Sequence, residues 1–250
     1  MKVIISGCNG KMGRVLVRLI ANEKEMEIVA GIDKHKDKFE NTFPVYEKAC
    51  ECKEKADVLI DFSHHSAFSD ILKYCLDTKT PLVMATTGLT GENLRSLMKA
   101  SNEIPIFQTG NYSLGVNVIT NLAKKAAASL GDDFDIEIIE KHHNQKVDSP
   151  SGTAYLIANG INEAFETKKE FVYGRYGKSD KRTSTEIGIH AIRGGTIIGE
   201  HTVIFAGPDE IIEIKHTALS KDIFGLGAIK ASKFLIKQKN GFYNMNDMLK

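Results

Sequence analysis

The sequence carries no surplus of either charge: 33 Lys and Arg stand against 32 Asp and Glu, a formal net charge of +1. No global field draws such a chain to nucleic acid or to a membrane surface, so an anionic ligand has to be held by local charge. No apolar run is long enough to cross a bilayer. Only four cysteines are present, Cys8, Cys50, Cys52 and Cys75. They form neither a Cys-x-x-Cys pair nor a dense framework, which excludes a disulfide scaffold and leaves reduced thiols as the expectation. The first residues, Met1 to Ser6, lack the charged, apolar and cleavage regions of a signal peptide. A soluble, cytoplasmic protein is expected. There is no repeat and no low-complexity tract. What remains is an ordinary globular composition, 42% hydrophobic and 26% charged over 250 residues, enough for one large domain or two small ones.

The first half alternates short apolar runs with amphipathic stretches. Val3–Ser6, Glu27–Asp33, Asp57–Phe62, Pro81–Thr86 and Ile104–Gln108 read as strands. Gly10–Ala21, Ser66–Asp77 and Gly91–Ala100 read as helices, the first with Met12, Val15, Leu16, Leu19 and Ile20 on one face. This alternation predicts βαβ units on a parallel sheet. After Gly110 the texture changes. A long helix over Leu114–Leu130, a strand over Asp135–Lys141 and a helix over Thr153–Ala164 precede a polar, aromatic excursion at Lys168–Lys181, expected to be mobile. Glu186–Arg193, Thr196–Ala206 and Glu210–Ala218 read as an antiparallel meander, and Asp222–Lys237 as a final helix. The fold class is therefore α/β: a Rossmann-type parallel-sheet domain followed by an α+β domain on an open mixed sheet. A sheet face carrying Ile187, Ile189, Ile192, Val203 and Phe205 needs cover, and self-association is one way to supply it.

The first strand ends in Ser6-Gly7-Cys8-Asn9-Gly10-Lys11-Met12-Gly13. The spacing is G-x-x-G-x-x-G. Gly7 permits a tight turn out of the strand, Gly10 lets the backbone approach a pyrophosphate, and Gly13 lets the helix pack close to the sheet. The helix N-terminus offers free N–H groups and a positive dipole end, and Lys11 adds a cation. Asp33 stands where an acid accepts bonds from a ribose diol, which favours NADH. Lys34, His35 and Lys36 follow and can neutralise a 2′-phosphate, which admits NADPH. Ala85-Thr86-Thr87-Gly88 and Thr109-Gly110-Asn111-Tyr112-Ser113 each follow a predicted parallel strand, where loops line the ligand crevice.

A second segment runs from Glu140 to Ala154. It leaves a strand with His142 and His143, passes Lys146 and enters a helix at Ser151-Gly152-Thr153. A cation, a helix dipole and fixed N–H donors make a site for carboxylates, and histidine is a proton donor near neutral pH. Zinc is a poor reading: adjacent histidines on an extended chain point to opposite sides, and no cysteine or carboxylate cluster stands at ligand spacing nearby. No metal is expected.

With these residues in place, the chain resembles the 4-hydroxy-tetrahydrodipicolinate reductase (dihydrodipicolinate reductase) family of lysine and diaminopimelate biosynthesis. The anchors are Gly7–Gly13, Asp33, Thr86–Gly88, Asn111–Asn117, Glu140–Ala154 and Gly199–Thr202. Departures are mild: Ala85 stands where Gly is common, Tyr112 where Phe is, Ser149 where Ala is, and Lys221 where some members carry Arg. The resemblance implies a dinucleotide-binding domain over residues 1–112, a substrate-binding and oligomerisation domain over 113–221 that builds a homotetramer, and a segment 222–250 returning to the first domain. It implies that Gly7, Cys8, Asn9, Gly10, Lys11, Met12, Asp33, Lys34, Ala85, Thr86, Thr87, Thr109, Gly110, Asn111 and Tyr112 hold NADH or NADPH. His143, Gly152 and Thr153 are implied to hold the carboxylates of a small cyclic dicarboxylate, and His142 and Lys146 to be catalytic. Reduction is then by hydride at C4 of a conjugated imine, with a proton from His142 at C3. Competing readings are a reductase of another amino or imino acid, which would lack the His142–Thr153 pattern, and a non-catalytic dinucleotide sensor, which would need neither proton donor nor carboxylate clamp.

Overall fold

The computed structural model describes residues 1–178 and 181–249. The chain divides into two compact units, Met1–Ser113 with Lys221–Lys250, and Leu114–Ser220. No described helix is long and apolar enough to cross a membrane.

The first unit opens with β1 (Lys2–Ser6), buried from Val3 onward as a central strand covered on both faces must be. Helix α1 (Lys11–Ile20) follows and buries Gly13, Leu16 and Ile20. Then come β2 (Glu27–Ile32), β3 (Val45–Tyr46), β4 (Val58–Asp61), α2 (Phe68–Thr78), β5 (Leu82–Met84), α3 (Gly91–Ala100) and β6 (Pro105–Gln108). Asp33, expected as the last residue of the second strand, lies just beyond β2. The two-residue β3 carries too little periodicity to be read from sequence; its bonds to Gly31 and Ile32 define it.

The second unit consists of α4 (Leu114–Leu130), β7 (Asp135–His142), α5 (Gly152–Asn162), β8 (Glu170–Tyr173), β9 (Glu186–Arg193), β10 (Gly199–Ala206) and β11 (Ile211–Ala218). Its sheet has the order β11-β10-β7-β9-β8. The expected meander is therefore wrong in one respect. β9 does not pair with β10; β7 lies between them, parallel to β9 and antiparallel to β10. Only β10 and β11 form a hairpin. The predicted excursion at Lys168–Lys181 also needs correction, since it contains β8, parallel to β9. It is tied down by Lys169, whose ammonium reaches Asp132 at 2.6 Å and whose backbone exchanges two bonds with the Asn162 side chain. Ser179 and Asp180 of that stretch lie outside the described residues.

One face of this sheet is apolar along most of its length, with Ile136, Ile138, Ile187, Ile189, Val203 and Phe205 packed on Ile119, Ala123 and Ala127 of α4 and Ala154, Ile157, Ala158 and Ile161 of α5. The cover is thus supplied within the unit, and the apolarity of this face carries no argument for self-association. Ile192, assigned to that face from the sequence, alternates out of it and is 45% exposed. The opposite face carries charge: Lys141 and Lys215 flank Glu200 and hold its carboxyl down at about 2.

The chain then re-enters the first unit with α6 (Asp222–Leu235), β12 (Gly241–Tyr243) and α7 (Met245–Met248). β12 adds to the edge of a seven-stranded sheet of order β12-β6-β5-β4-β1-β2-β3, all of whose pairs are parallel. The strand order reverses between β1 and β4, and in open parallel sheets the crevice outside the carboxyl ends at such a point is where ligands bind.

Candidate active site

The loops leaving β1, β4, β5 and β6 line a cavity of about 740 Å³. Its walls include Lys11 and Met12, Phe62 and Ser63, Ala85 to Thr87, and Thr109 to Tyr112. The glycine loop is shaped by close backbone contact. Gly7 has φ +76°, and a Cβ there would stand 2.6 Å from the Phe62 carbonyl oxygen. A Cβ on Gly13 would stand 2.0 Å from the Gly7 carbonyl oxygen. Gly13 thus lets the start of the helix come into close contact with the loop that leaves β1. Helix α1 has no side-chain cap and no acid in its first turn, which leaves its N–H groups and dipole for an anion.

The predicted cofactor residues act differently from one another. Cys8 is buried against Gly31, and burial, with Asp33 adding, pushes its thiol up to about 12. It offers a ligand only its backbone. The Asn9 amide is also turned inward, donating to the carbonyls of His35 at 2.8 Å and Lys36 at 3.2 Å. Asp33 accepts from the backbone N–H of Asn9 at 2.9 Å and of His35 at 2.8 Å, so it braces the glycine loop and, half-buried, keeps acceptor capacity beyond these two bonds. Lys34 lines a separate hollow with His35, Lys36 and Lys38. The Tyr112 hydroxyl donates to the Met84 carbonyl at 2.9 Å, so it is engaged within the protein although the residue lines the cavity. Thr86 donates at 2.8 Å to Asp61, a fully buried carboxylate that also accepts from Ser63 N–H. Asp61, Phe62 and Ser63 were missed from sequence. The acid ending the apolar run of β4 was the available signal.

In the second unit, the apolar face of the sheet turns polar at one end. Strand alternation that buries Ile136 and Ile138 next buries Glu140 and His142. On β9 the same alternation leads from Ile187 and Ile189 to Arg193, and on β10 from Phe205 and Val203 to His201. Glu140 is completely buried. It receives two bonds from the Arg193 guanidinium at 2.8 and 2.7 Å, the Ser151 N–H at 3.0 Å, and Nδ1 of His142 at 2.6 Å. The bond from Ser151 folds the loop back, bringing the start of α5 to the end of β7. His142, His143, Lys146, Gly152 and Thr153 therefore share one short segment closed at its base. Ser151 caps α5 by accepting from Ala154 N–H at 3.1 Å, and its hydroxyl lies 3.0 Å from Nε2 of His201.

The electrostatics follow from burial and pairing. Burial opposes a charged Glu140, but the bonds from Arg193, His142 and Ser151 together outweigh it and hold the carboxyl below its usual range. Burial also lowers the pKa of His142, and Lys146 and Arg193 add to that effect against the pull of Glu140. His201, more deeply buried and beside His142, is pushed down to about 4. Lys146 pairs with Asp148 at 2.7 Å. That bond, against burial and helped by the Gly152 N–H, keeps Asp148 below its usual range. The cation and the helix N–H assigned to a ligand carboxylate thus already engage one. Glu140, Arg193, His201 and Asp148 were assigned no role from sequence; for the first three the signal was a titratable residue at a core-facing strand position, whereas Asp148 lies in the loop between β7 and α5. Among the described residues no cluster of His, Cys, Asp and Glu suits a metal ion.

Known proteins place both units. A family model described as dihydrodipicolinate reductase, N-terminus, matches residues 1–112, and one described as dihydrodipicolinate reductase, C-terminus, matches residues 115–249. The 4-hydroxy-tetrahydrodipicolinate reductase of Caldanaerobacter subterraneus subsp. tengcongensis is 55% identical over 250 residues, covering 100% of this chain and 98% of the relative. That of Clostridium tetani is 50% identical over 249 residues, covering 100% and 97%. The dipicolinate-bound dihydrodipicolinate reductase from Paenisporosarcina sp. TG-14 superposes with a TM-score of 0.83 at 26% identity, over 98% of each chain. A probable dehydrogenase from Thermotoga maritima, at 10% identity and a TM-score of 0.67 over 99% of this chain and 92% of that one, shares the fold alone.

Proposed function

The chain belongs to the dihydrodipicolinate reductase family, and from that premise we propose that it reduces the dihydrodipicolinate formed from 4-hydroxy-tetrahydrodipicolinate to tetrahydrodipicolinate, with NADH or NADPH, in lysine and diaminopimelate biosynthesis. The observation that carries this reading is the segment His142–Thr153. It sets an imidazole, an ammonium and a helix start together, and Glu140 closes it at its base. A small dicarboxylate is the ligand such a segment suits, and the Paenisporosarcina relative binds dipicolinate.

The first unit fits a dinucleotide. Two glycines whose Cβ atoms would collide with backbone, an uncapped helix start, and Asp33 at the strand end form a cradle for a pyrophosphate and a ribose. The bound nicotinamide supplies the hydride. Lys11 and the α1 N–H groups would hold the phosphates, and the loops Ala85–Thr87 and Thr109–Tyr112 would flank the ring. On the substrate side, Lys146, His143 and the start of α5 at Gly152 and Thr153 bind and orient the carboxylates. They also stabilise negative charge as it moves toward the ring nitrogen and C3. His142 delivers the proton at C3. The protein is proposed to act in the cytoplasm as a homotetramer, with no nucleic-acid or membrane partner.

The test is a coupled assay with the upstream synthase, run separately with NADH and NADPH. Oxidation of either cofactor that depends on the synthase product, and inhibition by pyridine-2,6-dicarboxylate, are expected. Absence of cofactor oxidation with both would overturn the assignment.

A further inference from the structure

The proton donor of the proposed reaction is bonded in a way that prevents it from donating in its neutral form. His142 places Nδ1 2.6 Å from Glu140. Glu140 is fully buried and, with Arg193 on both oxygens, ionised; it accepts and does not donate. The Nδ1 position therefore carries the proton, and in the neutral ring Nε2 is a bare lone pair. Nε2 lies beside Gly199 of β10, where a Cβ would stand 3.1 Å from it, so a glycine there lets the ring sit without crowding.

Charges reach His142 from every element packed around it. Glu140 precedes it on β7, Arg193 comes from β9, His201 from β10 with ring centroids 5.2 Å apart, and Lys146 from the loop that follows. His216 on β11 stands opposite His201 in register. Of these, Glu140 favours an imidazolium, while burial, Lys146 and Arg193 oppose it. A bound dicarboxylate brings two negative charges to the same loop and reverses that balance.

Resting on the function proposed above, we infer that Glu140 is a positioning residue: it fixes His142 with Nε2 toward the ligand, so that the ring becomes an acid by taking up one proton from solvent as the dicarboxylate binds. The imidazolium Nε2–H then gives that proton to C3 of the hydride-reduced ring and returns to neutral imidazole. One proton from solvent and one hydride are consumed per turnover, and no other reactant is required. Arg193 and Ser151 act one step further back, holding the carboxylate that holds the ring.

The experiment titrates pyridine-2,6-dicarboxylate into the NADH-loaded enzyme by calorimetry, near pH 7.5, in buffers of differing ionisation enthalpy. A raised His142 pKa in the complex is expected to give net proton uptake at each site, by an amount that grows as the titration pH is lowered toward neutrality, and this uptake is lost in His142→Gln. In Glu140→Gln the pH above which kcat falls is expected to move down by about one unit or more, and kcat to drop about 10²-fold with a smaller change in KM. Glu140→Asp is expected to restore most of the profile. Wild-type binding without proton uptake, uptake that persists in His142→Gln, or an unmoved pH profile in Glu140→Gln would each overturn the inference. If Glu140→Gln does not fold, the calorimetry on wild type and His142→Gln decides alone. Failure to bind the dicarboxylate or to turn over the synthase product would instead overturn the parent function.

Discussion

Arg193→Met isolates the buried ion pair on which this site is built. The substitution keeps the length of the side chain but deletes the bonds of 2.8 and 2.7 Å to Glu140, together with a third of 2.7 Å to the Asp148 carbonyl. Glu140, with a side chain 0% exposed, keeps Ser151 N–H and His142 but loses its cation. Removing one partner of a buried pair costs about 3–5 kcal/mol. The Arg193 side chain is 19% exposed, so water reaches the gap, and the lower end, about 3 kcal/mol, is expected. For a protein of this size that is a fall in Tm of about 6–12 °C. The pH dependence follows from the depressed pKa. In the parent, ionised Glu140 contributes stability above the pKa of an unfolded carboxylate, and that contribution is lost as pH falls through the lower folded value. Without Arg193, burial raises the folded pKa instead, so the penalty is full above that raised value and shrinks as pH falls and Glu140 takes up a proton. Thermal and urea unfolding at pH 7.5 and pH 5 are therefore expected to show a gap between parent and variant that narrows toward pH 5. The pair Glu140→Met with Arg193→Met is expected to recover most of the stability while remaining inactive, because the charge and its counter-charge leave together. A gap under about 1 kcal/mol at pH 7.5, or one that widens as pH falls, would refute the placement of an ionised Glu140 in this interior.

Because Asp33 braces Asn9 N–H as well as facing the proposed ribose, Asp33→Ala is expected to weaken both cofactors, NADH more than NADPH, whereas Lys34→Ala weakens NADPH alone; fluorescence titration with each cofactor checks both. Lys146→Ala is expected to raise the inhibition constant of pyridine-2,6-dicarboxylate about tenfold or more, the worth of a charge-assisted bond, while NADH fluorescence titration of the variant without inhibitor stays as in the parent. Gly13→Ala is expected to disrupt the glycine loop, since its Cβ would stand 2.0 Å from the Gly7 carbonyl oxygen; soluble variant with wild-type NADH affinity would contradict that geometry. Light scattering is expected to report a homotetramer at micromolar concentration, and a stable monomer there would count against the proposed assembly.

What the sequence determined by itself was local. The five central strands and the main helices of the first unit, the glycine loop after β1 and the start of α5 were legible because each rests on short-range periodicity or on spacing within a dozen residues, whereas β3, β12 and α7 were not. The exact span of β9, Glu186–Arg193, was legible for the same reason. Its neighbours were not: alternation fixes which face a residue takes but says nothing of which strand lies beside it, so β7 entering between β9 and β10 came only from the folded chain. Ile192 was misplaced for a different reason: it stands one residue out of phase with Ile187 and Ile189, and the alternation already puts it on the other face. The partnership that governs the site has the same origin as the strand order. Glu140 and Arg193 stand 53 residues apart, and each alone is an unexplained charge on a core-facing position. Only the parallel register of β7 with β9 sets Lys141 beside Ile192 and His142 beside Arg193, and so brings a guanidinium onto the carboxylate that bonds His142. Sequence spacing names the groups that do chemistry; strand pairing, a non-local event, decides which charges stand behind them.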